Sequence, residues 1–174
     1  MVATATMDEL IWIDDFESTF RAHYGRLVRA LTVVAGSHDA ANDAVQDAFV
    51  KAHLRWRRVS QYDDPVAWIR RVAINKLKDE HRRRRRKDRA LERLEAEPAN
   101  NLGEPELDEL HHLLAGLPRQ QRAAIALHYV DGLSVAEIAE TLRISDGAVK
   151  FHLHRGRERL RAVIEEGASS ERIR

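Results

Sequence analysis

From Phe16 onward, apolar side chains return every three or four positions in block after block, and Gly, Pro, Ser or Asp cuts each block before the next begins. A period near 3.6 puts the apolar groups on one stripe of a helix, whereas a half-buried strand needs alternation with period two. A chain written this way folds by packing short amphipathic helices against one another. The expected fold class is therefore all-α.

The first block places Phe16, Phe20, Tyr24, Leu27, Val28, Leu31 and Val34 on one face, with Asp14 and Asp15 as cap candidates. Gly36-Ser37 breaks it, and Ala41, Ala44, Val45, Ala48, Phe49 and Ala52 line the next helix, which ends near Trp56. Asp64-Pro65 starts a third, with Asp64 as N-cap and Pro65 at the first helical position. Its inward set is expected to be Ala67, Trp68, Val72, Ala73 and Leu77, and it runs on into His81 and the run Arg82–Lys87. Periodicity then fails over residues 88–103, an acidic stretch holding Pro98 and Gly103, which reads as a flexible linker.

Beyond it, Leu107, Leu110, Leu113 and Leu114 predict one helix, broken at Gly116. Pro118 opens another through Ala123, Ala124, Leu127 and Tyr129, stopped by Asp131-Gly132. Ser134-Val-Ala-Glu137 is a capping box before Val135, Ile138, Ala139 and Leu142. Ser145 or Asp146 caps a last helix to about Ile164, with Ala148, Val149, Leu153, Leu160 and Val163 inward. The expected architecture is two small helical domains, 14–87 and 104–165, joined by the linker 88–103.

The formal net charge of +1 conceals a segregation. Residues 1–50 carry −5, residues 67–89 carry +8, residues 90–110 carry −6 and residues 143–161 carry +4. Two basic blocks separated by an acidic stretch suggest two polyanion-contacting surfaces. The C-terminal block is the more specific signal. A short helix, a tight turn at Arg143-Ile144-Ser145 and a longer basic helix form a helix-turn-helix pattern. The second helix projects Lys150, Phe151, His154, Arg155 and Arg157 toward base edges and phosphates of a major groove. The competing reading is a basic, solvent-facing helix. Around the start of the third helix, Trp56, Tyr62 and Trp68 stand beside a basic track of Arg70, Arg71, Lys76, Lys78 and Arg82–Arg86, the pairing of stacking faces and cations that a single strand needs. Trp68 also fits as core, and for Tyr62 and Asn75 both readings stand.

Other chemistry finds little support. With no cysteine, disulfides, thiolate metal ligands and a cysteine nucleophile are excluded. His111-His112 and the pair His152 and His154 lack the three- or four-residue spacing that would put two ligands on one helix face, so no metal and no cofactor is expected. No phosphate loop, nucleophile elbow or zinc-protease signature occurs, and the chain does not read as an enzyme. No apolar run approaches 18 residues, and the N-terminus has no basic region ahead of its apolar patch Leu10–Ile13, so a cytoplasmic location is expected.

Five segments in order carry a resemblance. They are Asp43-Ala-Val-Gln-Asp-Ala-Phe-Val-Lys-Ala52; Trp68-Ile-Arg-Arg-Val-Ala-Ile-Asn75 with the arginine run behind it; Leu117-Pro118-Arg-Gln-Gln-Arg122; Asp131-Gly-Leu-Ser-Val-Ala-Glu-Ile-Ala139; and Gly147-Ala-Val-Lys-Phe-His-Leu-His-Arg155. Over residues 14–165 the chain resembles a bacterial extracytoplasmic-function (ECF, group 4) RNA polymerase sigma factor of the sigma-70 family.

The resemblance implies that 14–87 is a sigma-2-like domain and 104–165 a sigma-4-like domain. It implies a factor that binds core RNA polymerase, recognises −35 and −10 promoter elements and helps open the DNA. Asp43, Gln46 and Asp47 would dock on the β′ clamp helices, with the β flap a second contact. Asn75 would read a flipped −10 base, Tyr62 would wall its pocket, and Arg70, Arg71 and Lys76 would hold the strand. Lys150, Phe151, His154, Arg155 and Arg157 would serve the −35 element. Many members are held by an anti-sigma factor, which makes one a candidate partner here. The chain departs from the family at Arg143, often a turn glycine, at Ala148 and Phe151, where small hydroxyl residues are common, and at Gly156, where Ala is common. Phe151 either touches a thymine methyl or packs inward. A stand-alone helix-turn-helix regulator is the alternative; it needs neither the Asn75 segment nor the Asp43–Asp47 face. An adaptor binding protein with both halves leaves the basic blocks unexplained.

Overall fold

The computed structural model describes the backbone of residues 7–90 and 113–171, and side chains within 15–86 and 113–165. The expected linker and most of the helix through Leu107 and Leu110 lie outside the described residues, as do the side chains of Leu10–Ile13. The described elements are α1 (Met7–Ala35), α2 (His38–His53), α3 (Trp56–Val59), α4 (Pro65–Ala90), α5 (Arg119–Tyr129), α6 (Val135–Leu142) and α7 (Asp146–Glu171), with no strand among them. By backbone contacts the chain divides into two units, Met1–Val28 with Ala40–Ala96 and Arg29–Asp39 with Glu97–Arg174.

In the first unit, α1 begins nine residues before Phe16, so Asp14 and Asp15 lie within the helix and are not its caps. The inner face of α2 is built from Ala41, Ala44, Val45, Ala48, Phe49 and Ala52, all buried. Four alanines let neighbouring backbones approach, and Phe49 fills the space left over. Its ring meets Phe16, Phe20 and Tyr24 at centroid distances of 5.1–6.2 Å. Trp56 packs edge-on against Phe16 at 5.2 Å and is buried, as is Val59, so α3 is a core turn rather than the tail of α2. At the end of α1 the apolar Ala30, Leu31, Val33 and Val34 and the polar Thr32 are all buried, and this part groups with the second unit.

Asp64 caps α4, its Oδ1 accepting from the Ala67 N–H at 2.9 Å, with Pro65 in the first turn as expected. The inward stripe differs. Ile69, Arg70, Ala73, Ile74 and Leu77 are buried, whereas Ala67, Trp68 and Val72 are only half-buried. Ala73 and Leu77 are inward as expected, while Ile69, Arg70 and Ile74 take the places expected for Ala67, Trp68 and Val72.

In the second unit α5 is nearly engulfed, with Gln121 and Ala123–Leu127 buried; Tyr129, expected inward, is 58% exposed. Gly132, at φ +78°, turns the chain after α5. The capping box closes as expected: the Ser134 N–H donates to Glu137 Oε2 at 2.7 Å, and the Glu137 N–H to Ser134 Oγ at 3.3 Å. Ser145 caps α7, accepting from the Ala148 N–H at 3.2 Å. Between them Arg143 adopts φ 59°, ψ 52°, the left-handed conformation that a turn glycine would supply without strain. The α7 stripe buries Val149, Leu153 and Gly156; Val163, expected inward, is 44% exposed. A Cβ on Gly156 would stand 2.9 Å from Ile125 Cγ1 and 3.5 Å from Leu117 Cδ2. Glycine here is what lets α7 cross α5 so closely.

Candidate functional site

Asp43, Gln46 and Asp47 follow the i, i+3, i+4 spacing on the side of α2 opposite its alanines, with Asp43 and Gln46 exposed. Asp47 is held more firmly than its neighbours. Its Oδ2 lies 3.3 Å from both Lys51 Nζ and Lys76 Nζ, and Lys76 also donates to the Asp43 carbonyl oxygen at 3.2 Å. Desolvation raises the Asp47 pKa, but the hydrogen bonds and charges of Lys51 and Lys76 outweigh it and hold the carboxyl below its ordinary value.

Lys76 therefore joins two residue sets that the sequence kept apart. Asn75, half-buried, lines an open groove with Val72, Lys76 and Asp79 of α4 and Asp47 and Lys51 of α2. Tyr62, 37% exposed, lies in the loop before α4 and is not part of this groove. Arg71 is half-buried and engaged within the protein. Arg70 is a correction: at 3% exposure its side chain is packed inside and is not offered to a strand. It occupies the inward stripe between Ile69 and Ala73, where its methylenes add to the core. Arg82–Arg86 are all exposed.

On α7, Lys150, Phe151, His154, Arg155 and Arg157 all face outward. Phe151 is 55% exposed, so it does not pack inward. The Arg155 guanidinium lies over its ring, 5.9 Å from the centroid. Arg157 Nε donates to the Leu153 carbonyl oxygen at 3.1 Å. The α6–turn–α7 geometry, with two capped helices and an exposed cationic face on the second, can lie along a duplex. Sequence reasoning missed Glu158, which pairs with both His154 and Arg155. Its signal was present, since no other acid occurs between Asp146 and Glu165.

The sigma-70 region 2 family matches residues 19–87, and sigma-70 region 4 matches residues 107–160. The ECF RNA polymerase sigma factor SigM of Mycobacterium tuberculosis is 30% identical over 86% of this chain and 76% of its own length. The chain belongs to the ECF sigma factors of the sigma-70 family. The RNA polymerase sigma-E factor of Streptomyces coelicolor is likewise 30% identical, over 84% of each chain. The fold agrees with that of the sigma factor RpoE from Bartonella quintana, solved with the anti-sigma factor NepR, at TM-score 0.72 and 24% identity over 87% of this chain and 97% of that one. CnrH, solved with the cytosolic domain of CnrY, matches at TM-score 0.64 and 26% identity over 87% and 88%.

This sigma factor binds core RNA polymerase and promoter DNA and directs promoter-specific initiation. The region 2 match sets aside the stand-alone regulator, because it covers the Asp43–Asp47 face and the Asn75 segment that such a regulator does not need. No helix among the described residues is long and apolar enough to cross a membrane.

Proposed function

We propose a division of labour among named residues within that function. Asp43, Gln46 and Asp47 dock on the β′ clamp helices. Asn75 reads an extruded −10 base, with Lys76 and Arg71 on the strand and Tyr62 at its edge. Lys150, Phe151, His154, Arg155 and Arg157 engage the −35 element, and the domains span 14–87 and 104–165 with 88–103 as linker. The observation that carries the reading is the pairing of two outward polar sets on separate units, an acid-and-amide face on α2 and a cationic face on α7. A protein partner suits the first and phosphates suit the second.

The factor supplies recognition and strand capture; bond-making belongs to the polymerase, so the chain itself is not an enzyme, and it works in the cytoplasm, where its template is. An anti-sigma factor is a further partner, a reading supported by the RpoE structure, which was solved with the anti-sigma factor NepR. Adding the chain to purified bacterial core polymerase and promoter templates tests the assignment. Promoter-dependent transcripts are expected, lost with Asp47→Lys through weaker core binding and with Asn75→Ala through failed opening. Normal core binding by Asp47→Lys would show the docking face to be wrong.

A further inference from the structure

The stretch of α7 between Asp146 and Glu165 holds a single carboxylate, and it sits within the face assigned to the −35 element. Glu158 Oε2 accepts from Arg155 Nη1 at 3.1 Å, and its Oε1 lies 3.3 Å from His154 Nε2. Phe151, His154, Arg155 and Glu158 follow the i, i+3, i+4, i+7 spacing of one helix stripe. The Arg155 guanidinium is thus bracketed by a carboxylate and an aromatic face. An acid on a face that meets phosphates is repelled by them and lowers affinity for any DNA. An exposed pair such as this one contributes little to folding stability. Neither effect explains a carboxylate at this place. Orientation does. Arginine reads guanine through a planar fork aimed at O6 and N7, and a fork held in place before binding loses less freedom on contact. Without a partner it swings to the nearest phosphate, a contact that carries no sequence information.

We propose that Glu158 is a positioning residue that sets −35 specificity by aiming Arg155 at a base edge and withholding it from the backbone. This rests on the reading of α7 as the −35 helix. Glu158 gives up general affinity for discrimination, so its removal moves the two in opposite directions.

The test uses holoenzyme assembled from the full chain and bacterial core polymerase. The probes are a duplex pool randomised across the −35 region and one fixed non-promoter duplex. The wild type should enrich a sequence with at least one position whose preference disappears in Arg155→Ala. In Glu158→Gln, preference at that position should fall about fivefold or more, while the fixed duplex binds about twofold tighter or better, with one fewer negative charge near phosphate. Glu158→Gln added to Arg155→Ala should change the preference no further, which a merely structural role would not produce. Full preference retained in Glu158→Gln overturns the proposal alone. Preference lost at a position independent of Arg155 also overturns it, because Glu158 would then read a base itself. A wild type with no preference overturns the −35 reading together with it.

Discussion

Lys76 Nζ lies 3.3 Å from Asp47 Oδ2, so one ion pair joins the α2 face assigned to polymerase to the α4 residue assigned to the −10 strand. Both groups are partly exposed, at 28% and 45% of their side chains, and such a pair is worth little in stability. Its importance is positional, because substituting either residue removes a contact of the other.

Asp47→Lys should lower core binding by tenfold or more, about 1.4 kcal/mol or above, and shift the unfolding free energy by less than about 1 kcal/mol. Binding and denaturant titrations on the same samples separate the two. The folded-state pKa of Asp47 is depressed, so whatever stability its pairing adds is present above the ordinary carboxylate value and is lost as pH falls through the lower folded value. The Asp47–Lys76 contact should therefore be unchanged from pH 8 to pH 5 and break only in more acidic solution. Carboxylate chemical shifts followed by NMR would reveal a break at neutral pH if the sign were wrong.

Arg155→Ala should reduce initiation at promoters that depend on the −35 element by about 5- to 150-fold, the range of a bidentate arginine–guanine contact of roughly 1–3 kcal/mol. Templates lacking that element should lose far less. Equal losses on all templates in a run-off assay would mark Arg155 as a phosphate contact.

Gly156→Ala pits two effects against each other. Alanine improves helix propensity by about 1 kcal/mol. The added methyl, however, meets Ile125 Cγ1 at 2.9 Å, an atom close to the backbone of a buried helix that has little room to yield. Overpacking costs about 1–3 kcal/mol. We expect net destabilisation near 1 kcal/mol, a drop of roughly 4–8 °C in the Tm of this small domain, and a rise in Tm would show that α5 and α7 can separate without cost.

Arg143→Gly should act in the opposite sense. The left-handed conformation costs a non-glycine residue about 1–2 kcal/mol, and glycine returns part of this through its freer unfolded chain. The expected gain is about 0.5–1 kcal/mol, read as a higher denaturation midpoint at unchanged slope. Arg143 is exposed, so no packing is lost with its side chain.

Several local signals were legible, although the cap expected at Asp14 or Asp15 was not one of them. The Asp64 cap, the Ser134–Glu137 box, the Ser145 cap and the Gly132 stop each involve residues within a few positions of one another, and each stands where the sequence put it. The inward face of α4 was not legible in the same way. Trp68 carries the largest apolar surface there and drew the reading toward itself, while Ile69, Ile74 and the buried Arg70 mark the true stripe. An arginine in a core stripe reads as a surface residue until its surroundings are known.

Sequence alone determined the all-α class, the capped starts of α4, α6 and α7, the partition of charge and the family. All of these follow from spacing and order along one chain. Tertiary structure decided what depends on two elements meeting: which side chains of α4 turn inward, the burial of Arg70, the bridge from Lys76 to Asp47 and the need for glycine at position 156. Periodicity specifies that a helix has an inner face, but packing against neighbours selects which residues make up that face.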